Sequence, residues 1–148
     1  MAADVRLLAA PFDPGAEIEA FTAAHPEAGG VAAFLGKVRA GGGVEALELR
    51  HYEPLTLPGM EVLAADAEER WPLDGLLMIH RSGEMTPGDA IVLVAAAARH
   101  RRDAFAAAEF AMDHLKSESW FWKREKVGGI WNWIEPRAVD FDDLERWR

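Results

Sequence analysis

Apolar positions recur along this chain with two periods, and the switches between them mark the elements. Val5–Leu8 is short and apolar and predicts a first strand. Over Pro14–His25, Ile18 and Phe21 recur at helical spacing, Asp13 is an N-cap, and Pro14 sits where a missing N–H costs nothing. Pro26 and Gly29-Gly30 end that helix. Val31–Arg39 alternates, with Val31, Ala33 and Leu35 on one side and Phe34 and Val38 on the other, and predicts a strand. Gly41-Gly42-Gly43 is a loop, and Glu45–Tyr52 a second alternating strand carrying Leu47 and Leu49 on one face. Gly59–Trp71 is a helix built on Met60, Leu63, Ala67 and Trp71, stopped by Pro72. Leu76–His80 is a strand, Thr86-Pro87-Gly88-Asp89 a tight turn, and Ile91–Ala97 a near-continuous apolar run that suits a central strand. Asp103–Lys116 is the clearest helix, with Phe105, Ala108, Met112 and Leu115 as its apolar stripe. An aromatic break that turns the chain follows, then a strand over Ile130–Glu135 and a polar tail. Strands mixed with three helices indicate an α+β fold with a largely antiparallel or mixed sheet.

Length and composition narrow the class. The 148 residues suit one domain over 1–148, and a hydrophobic content of 50% supports a real core. No apolar run approaches the length of a membrane span, and the N-terminus lacks the features of a signal peptide, so a cytoplasmic protein is expected. With no cysteine, disulfides, thiolate catalysis and Cys-based zinc sites are excluded. The five histidines show no metal-ligand spacing, so neither a metal nor another cofactor is expected.

Charge adds the chemistry. The chain carries a net charge of −9, yet Arg99–Lys126 holds seven Lys/Arg against five Asp/Glu. An acidic body argues against nucleic-acid binding, which rests on phosphate neutralisation, and a local cationic pocket on it suits a small anion. Lys116 and Lys123 flank the aromatic break in Phe121-Trp122-Lys123-Arg124-Glu125. An amine held beside other cations is a candidate base or nucleophile. The plainer reading of Lys116 is a helix C-terminal cation favoured by the dipole. Arg39 ends a strand beside the glycine loop and suits a phosphate or carboxylate, or merely guards a sheet edge. His100-Arg101 precedes a helix whose N-terminus also favours anions, or forms a plain basic loop. His51 and His80 read as structural.

Taken in order, Phe34-Leu35-Gly36-Lys37-Val38-Arg39, His51-Tyr52, Ile79-His80-Arg81-Ser82-Gly83-Glu84 with Pro87-Gly88-Asp89, His100-Arg101, Met112-Asp113-His114-Leu115-Lys116 and Phe121-Trp122-Lys123-Arg124-Glu125 closely resemble the catalytic, large-subunit family of molybdopterin synthase. The resemblance runs from about Val31 to Arg137. It implies an α/β hammerhead-like fold with an additional antiparallel β-sheet. It implies a sulfurtransferase that converts cyclic pyranopterin monophosphate into molybdopterin for the molybdenum cofactor. Sulfur would arrive on the C-terminal Gly-Gly thiocarboxylate of a small ubiquitin-like subunit, which fits a chain without cysteine. The implied assembly is a homodimer with a small subunit at each end, a heterotetramer. Carried over by residue, Lys116 and Lys123 are the catalytic pocket lysines. Lys37, Val38, Arg39, His100, Arg101, Arg124, Glu125 and Arg137 join them in binding substrate, with His100 and Arg101 serving either their own or the neighbouring protomer's site. The segment Glu53–Gly59 departs from the pattern by its length, and Arg99 and Arg102 add charge around His100-Arg101. Two other readings remain: a non-catalytic module for a small phosphorylated ligand or an acidic peptide tail, and an assembly protein with a basic interface.

Overall fold

The computed structural model describes residues 3–117, 120–135, 138–145 and 147. Its elements run β1 (Asp4–Leu8), α1 (Pro14–Ala24), β2 (Gly30–Lys37), β3 (Val44–His51), α2 (Glu53–Arg70), β4 (Leu73–Arg81), β5 (Gly83–Met85), β6 (Ala90–Ala98), α3 (Arg101–Ser117), β7 (Phe121–Val127), β8 (Ile130–Ile134) and α4 (Ala138–Glu145). The fold is α+β with two four-stranded sheets, ordered β1-β4-β6-β2 and β5-β3-β7-β8. In the first sheet β1 runs parallel to β4 and the other pairs are antiparallel. The second sheet is antiparallel throughout.

Helices cover both faces of the first sheet. Phe21 and Ile18 of α1 pack on Leu77, Ile79, Leu93, Ala95 and Ala97. On the opposite face Met60, Leu63 and Ala67 of α2 meet Phe110, Ala111 and Leu115 of α3, over Met78, Val94 and Ala96. This is why β4 and β6 are apolar on both sides, and the central place expected of Ile91–Ala97 holds. A third cluster, Val38, Leu47, Leu49 and Met85, lies on one face of the second sheet. Phe121 and Ile91 pack against both this cluster and the α2–α3 core, so they join the two sheets.

Several sequence expectations give way. The helix expected from Gly59 begins at Glu53. Pro54 lies in its first turn, where the N–H is orphaned anyway, and exposed Pro58 removes a single bond one turn later. The segment around Lys123 is a strand in mid-sheet and not a turn, and it forms a hairpin with β8. Gly128 and Gly129 form the two-residue loop with φ of 59° and 78°, the left-handed pair that matches strand twist. Phe105, expected on the buried stripe of α3, is 62% exposed, whereas Phe110 is fully buried. The expected polar tail contains α4, and Trp147 beyond it packs edge-on against Trp71 and Phe110.

Candidate functional site

Residues 118–120 alone separate the end of α3 from β7, so Lys116 and Lys123 emerge at one junction between the two sheets. Lys116 is exposed in the last helical turn, and Lys123 is exposed two residues beyond Phe121. The junction is pinned from α2. A Cβ on Gly59 would stand 2.5 Å from the Trp120 ring, so glycine alone permits that contact. Fully buried Thr56 places its hydroxyl 3.2 Å from the Trp120 carbonyl oxygen and 3.0 Å from that of Tyr52, sharing one proton between them.

Phe121 is held as firmly. The His80 ring stacks on it, with centroids 4.0 Å apart and planes at 17°, and His51 meets it edge-on at 6.4 Å. Burial pushes the His80 imidazole down to about 4, so it is neutral at pH 7. Neutral His80 donates Nδ1–H to the Arg81 carbonyl at 2.8 Å. His51 Nδ1 is buried with no hydrogen-bond partner among the described residues.

Strand register sorts the remaining candidates. Lys123 stands opposite Leu49 and Ile134, and Glu125 opposite Leu47 and Asn132. Cross-strand partners share a face, so Lys123 and Glu125 leave the face that carries Leu47 and Leu49. Arg124 leaves the other face. Its Nε lies 2.8 Å from Glu48, and its guanidinium covers Trp131 at 4.5 Å and Trp133 at 5.6 Å. The hydrogen bond from Arg124, with a smaller one from Arg50, holds Glu48 below the usual carboxylate range.

Val38 carries the β2 exit to the same junction. It is buried against Leu47, Leu49 and Met85, donates its N–H to Asp89 O at 2.9 Å, and accepts from Gly88 N at 2.8 Å. Lys37 and Arg39 flank it, both exposed. Leu49 is thus shared: it packs with Val38 and pairs with Lys123. His100 and Arg101 lie elsewhere. They border a surface recess with Arg102 and Asp103 at the start of α3. From Arg101 to Lys116 the helix rises about 22 Å, so one chain does not bring them to one small ligand. Arg137 lies outside the described residues.

Thr56 and the Gly59–Trp120 contact have no part in the sequence expectations, and Arg81 enters them only within the motif Ile79-His80-Arg81-Ser82-Gly83-Glu84. Gly59 gave no signal of close approach because the expected helix starts there; only the earlier start at Glu53 places it inside the helix. Thr56 had none, because its burial depends on a helical turn that two prolines disguised. Among the described residues no group of three His, Asp or Glu could hold a metal ion, and no helix is long and apolar enough to cross a membrane.

Known proteins resemble this arrangement closely. The family model described as MoaE protein matches residues 7–118. A molybdopterin synthase catalytic subunit of Ralstonia nicotianae is 46% identical over 97% of this chain and 83% of its own length. The solved structure of molybdopterin cofactor biosynthesis protein E from Burkholderia multivorans superposes with a TM-score of 0.83 at 43% identity, covering 99% of this chain and 97% of that one. A complex of subunits 1 and 2 of molybdopterin-converting factor from Helicobacter pylori contains a chain with a TM-score of 0.78 at 19% identity, covering 90% and 92%, a likeness of fold. Matched by the family model over most of its length and by relatives over nearly all of it, the chain belongs to the MoaE family of molybdopterin synthase catalytic subunits.

Proposed function

We propose that this protein transfers sulfur from the C-terminal thiocarboxylate of a small ubiquitin-like subunit to cyclic pyranopterin monophosphate, each tail giving up one sulfur and leaving as a carboxylate, so that two successive tails complete the molybdopterin dithiolene. The carrying observation is the junction where exposed Lys116 and Lys123 emerge beside the pinned Lys37–Arg39 exit of β2. A thiocarboxylate tail and a phosphate are both anions, and cations at one junction hold and orient them. Lys116 and Lys123 are the groups that move protons or transiently accept the acyl carbon, which water then releases as the tail's carboxylate, since each is an exposed primary amine. Arg39 and Lys37 take the phosphate, with Glu125 on the Lys123 face; the family resemblance adds Arg137 as a further substrate-binding residue. Arg124, already paired with Glu48, orients the strand rather than the ligand.

His100 and Arg101 belong to the same chemistry through a second copy of the chain. At about 22 Å from Lys116 they serve the neighbouring protomer's ligand, which makes the working unit a homodimer. With a small subunit on each protomer the assembly is a heterotetramer, working in the cytoplasm. The complex of two unlike subunits in the Helicobacter protein supports a partner of this kind.

The test is reconstitution with a thiocarboxylated small subunit and cyclic pyranopterin monophosphate. Dithiolene product is expected. Lys116→Ala should lower turnover by at least about 10²-fold at matched folded concentration, and Lys123→Ala similarly. A wild-type chain that retains the pterin without turnover is a binding module, and the proposal fails.

A further inference from the structure

We propose that the cleft between the start of α1 and the end of β4 binds a small organic monoanion. The cleft encloses about 350 Å³ and is lined by Phe12, Pro14, Leu35, Lys37, Arg81 and Asp89 among others. Arg81 makes the case. It extends the α1-facing row of Leu77 and Ile79, and its side chain is 6% exposed. A guanidinium offers five N–H groups in a fixed fork. Here Nε is buried with no hydrogen-bond partner among the described residues, Nη2 reaches the Glu84 carbonyl at 3.5 Å, and Nη1 stays 3.8 Å from Asp89 Oδ2. Half-exposed Asp89 pairs with this buried charge only at long range, which leaves its hydrogen-bonding capacity unmet and favours a second, closer anion.

The surroundings define that anion. Lys37 and Arg81 against Asp89 leave one positive charge, so a single negative charge balances the cleft. The N-terminus of α1 is already capped by Asp13, which accepts from Ala16 N at 3.1 Å, so the attraction rests on the two cations of the cleft. Phe12, Pro14 and Leu35 form an apolar wall, which suits a carboxylate on a short hydrocarbon body better than a hydrated dianion. The proposal does not rest on sulfur transfer: the cleft lies on the α1 face of the first sheet and Lys116 on a helix of the opposite face, with Lys37 alone common to both.

The experiment titrates the isotope-labelled full chain with butyrate and, separately, with inorganic phosphate at constant ionic strength. NMR follows the Arg81 Nε–H and the amides of Leu35 and Ala90. Saturable butyrate shifts are expected, with Kd of roughly millimolar and weaker binding of phosphate. Asp89→Asn removes the competing carboxylate while keeping an acceptor for the Thr86 N–H, and should tighten butyrate several-fold. Arg81→Met should abolish saturation. If that variant does not fold, Lys37→Met, at an exposed position, should still weaken butyrate about tenfold. Non-saturating shifts, equal responses to both anions, or butyrate affinity unmoved by Asp89→Asn and Lys37→Met would mean a water-filled cleft and overturn the proposal.

Discussion

Buried His80, stacked on Phe121, couples the protein's stability to pH. Its folded value, about 4, lies below the ordinary 6.5 because burial disfavours the imidazolium. Between those values the unfolded chain takes a proton that the folded chain refuses. Its contribution is therefore complete above pH 6.5 and declines as pH falls toward 4, by about 2 kcal/mol at pH 5. Urea unfolding at pH 7 and pH 5 should show this loss in the wild type and not in His80→Leu. Equal losses in both would mean that His80 titrates normally in the folded state. The structural reading of His80 was legible in sequence, since the residue ends an apolar strand. The partnerless Nδ1 of His51 and the half-served guanidinium of Arg81 were not, because satisfaction of a polar atom depends on neighbours remote in sequence.

Three elements were readable: α1 from its cap and proline, β6 from its apolar run, and α3 from Ala108, Met112 and Leu115, although Phe105 of the expected stripe faces out. The strand β7 was hidden because each of its faces mixes apolar and charged residues, Phe121 with Lys123 and Trp122 with Arg124, so alternation cancels. Its Gly128-Gly129 hairpin loop was the stronger cue. The first turns of α2 were hidden by Pro54 and Pro58, though those turns carry Thr56 to the Trp120 carbonyl. The lysines themselves were plain in sequence; the contacts that aim them were not. Gly59→Ala tests the aiming. Its methyl meets the Trp120 ring, so the variant should lose about 1–3 kcal/mol and lower turnover further than matched folded protein explains. An unchanged urea midpoint would show that Trp120 moves aside freely.

Across the whole molecule, the outer face of the second sheet stands out. Trp122 and Trp133 are 51% and 59% exposed there, beside Arg50 and Arg124. Exposed aromatics with arginine are the composition of interface centres, and this face is expected to meet another copy of the chain. Sedimentation of the wild type at micromolar concentration should give a dimer mass, and Trp122→Glu with Trp133→Glu a monomer. A wild-type monomer would show that this face does not pair two copies of the chain. The length of α3 then acquires a genetic meaning. If Arg101 reaches across to the neighbour's Lys116, a Lys116→Ala chain and an Arg101→Ala chain are each defective alone, yet complement one another when mixed. About half of randomly assorted dimers pair one of each, and each such pair rebuilds one intact centre from two damaged parents, restoring about a quarter of full turnover. Two defective alleles would together sustain what neither sustains alone, and a mixture that stays inactive would confine each centre to a single chain.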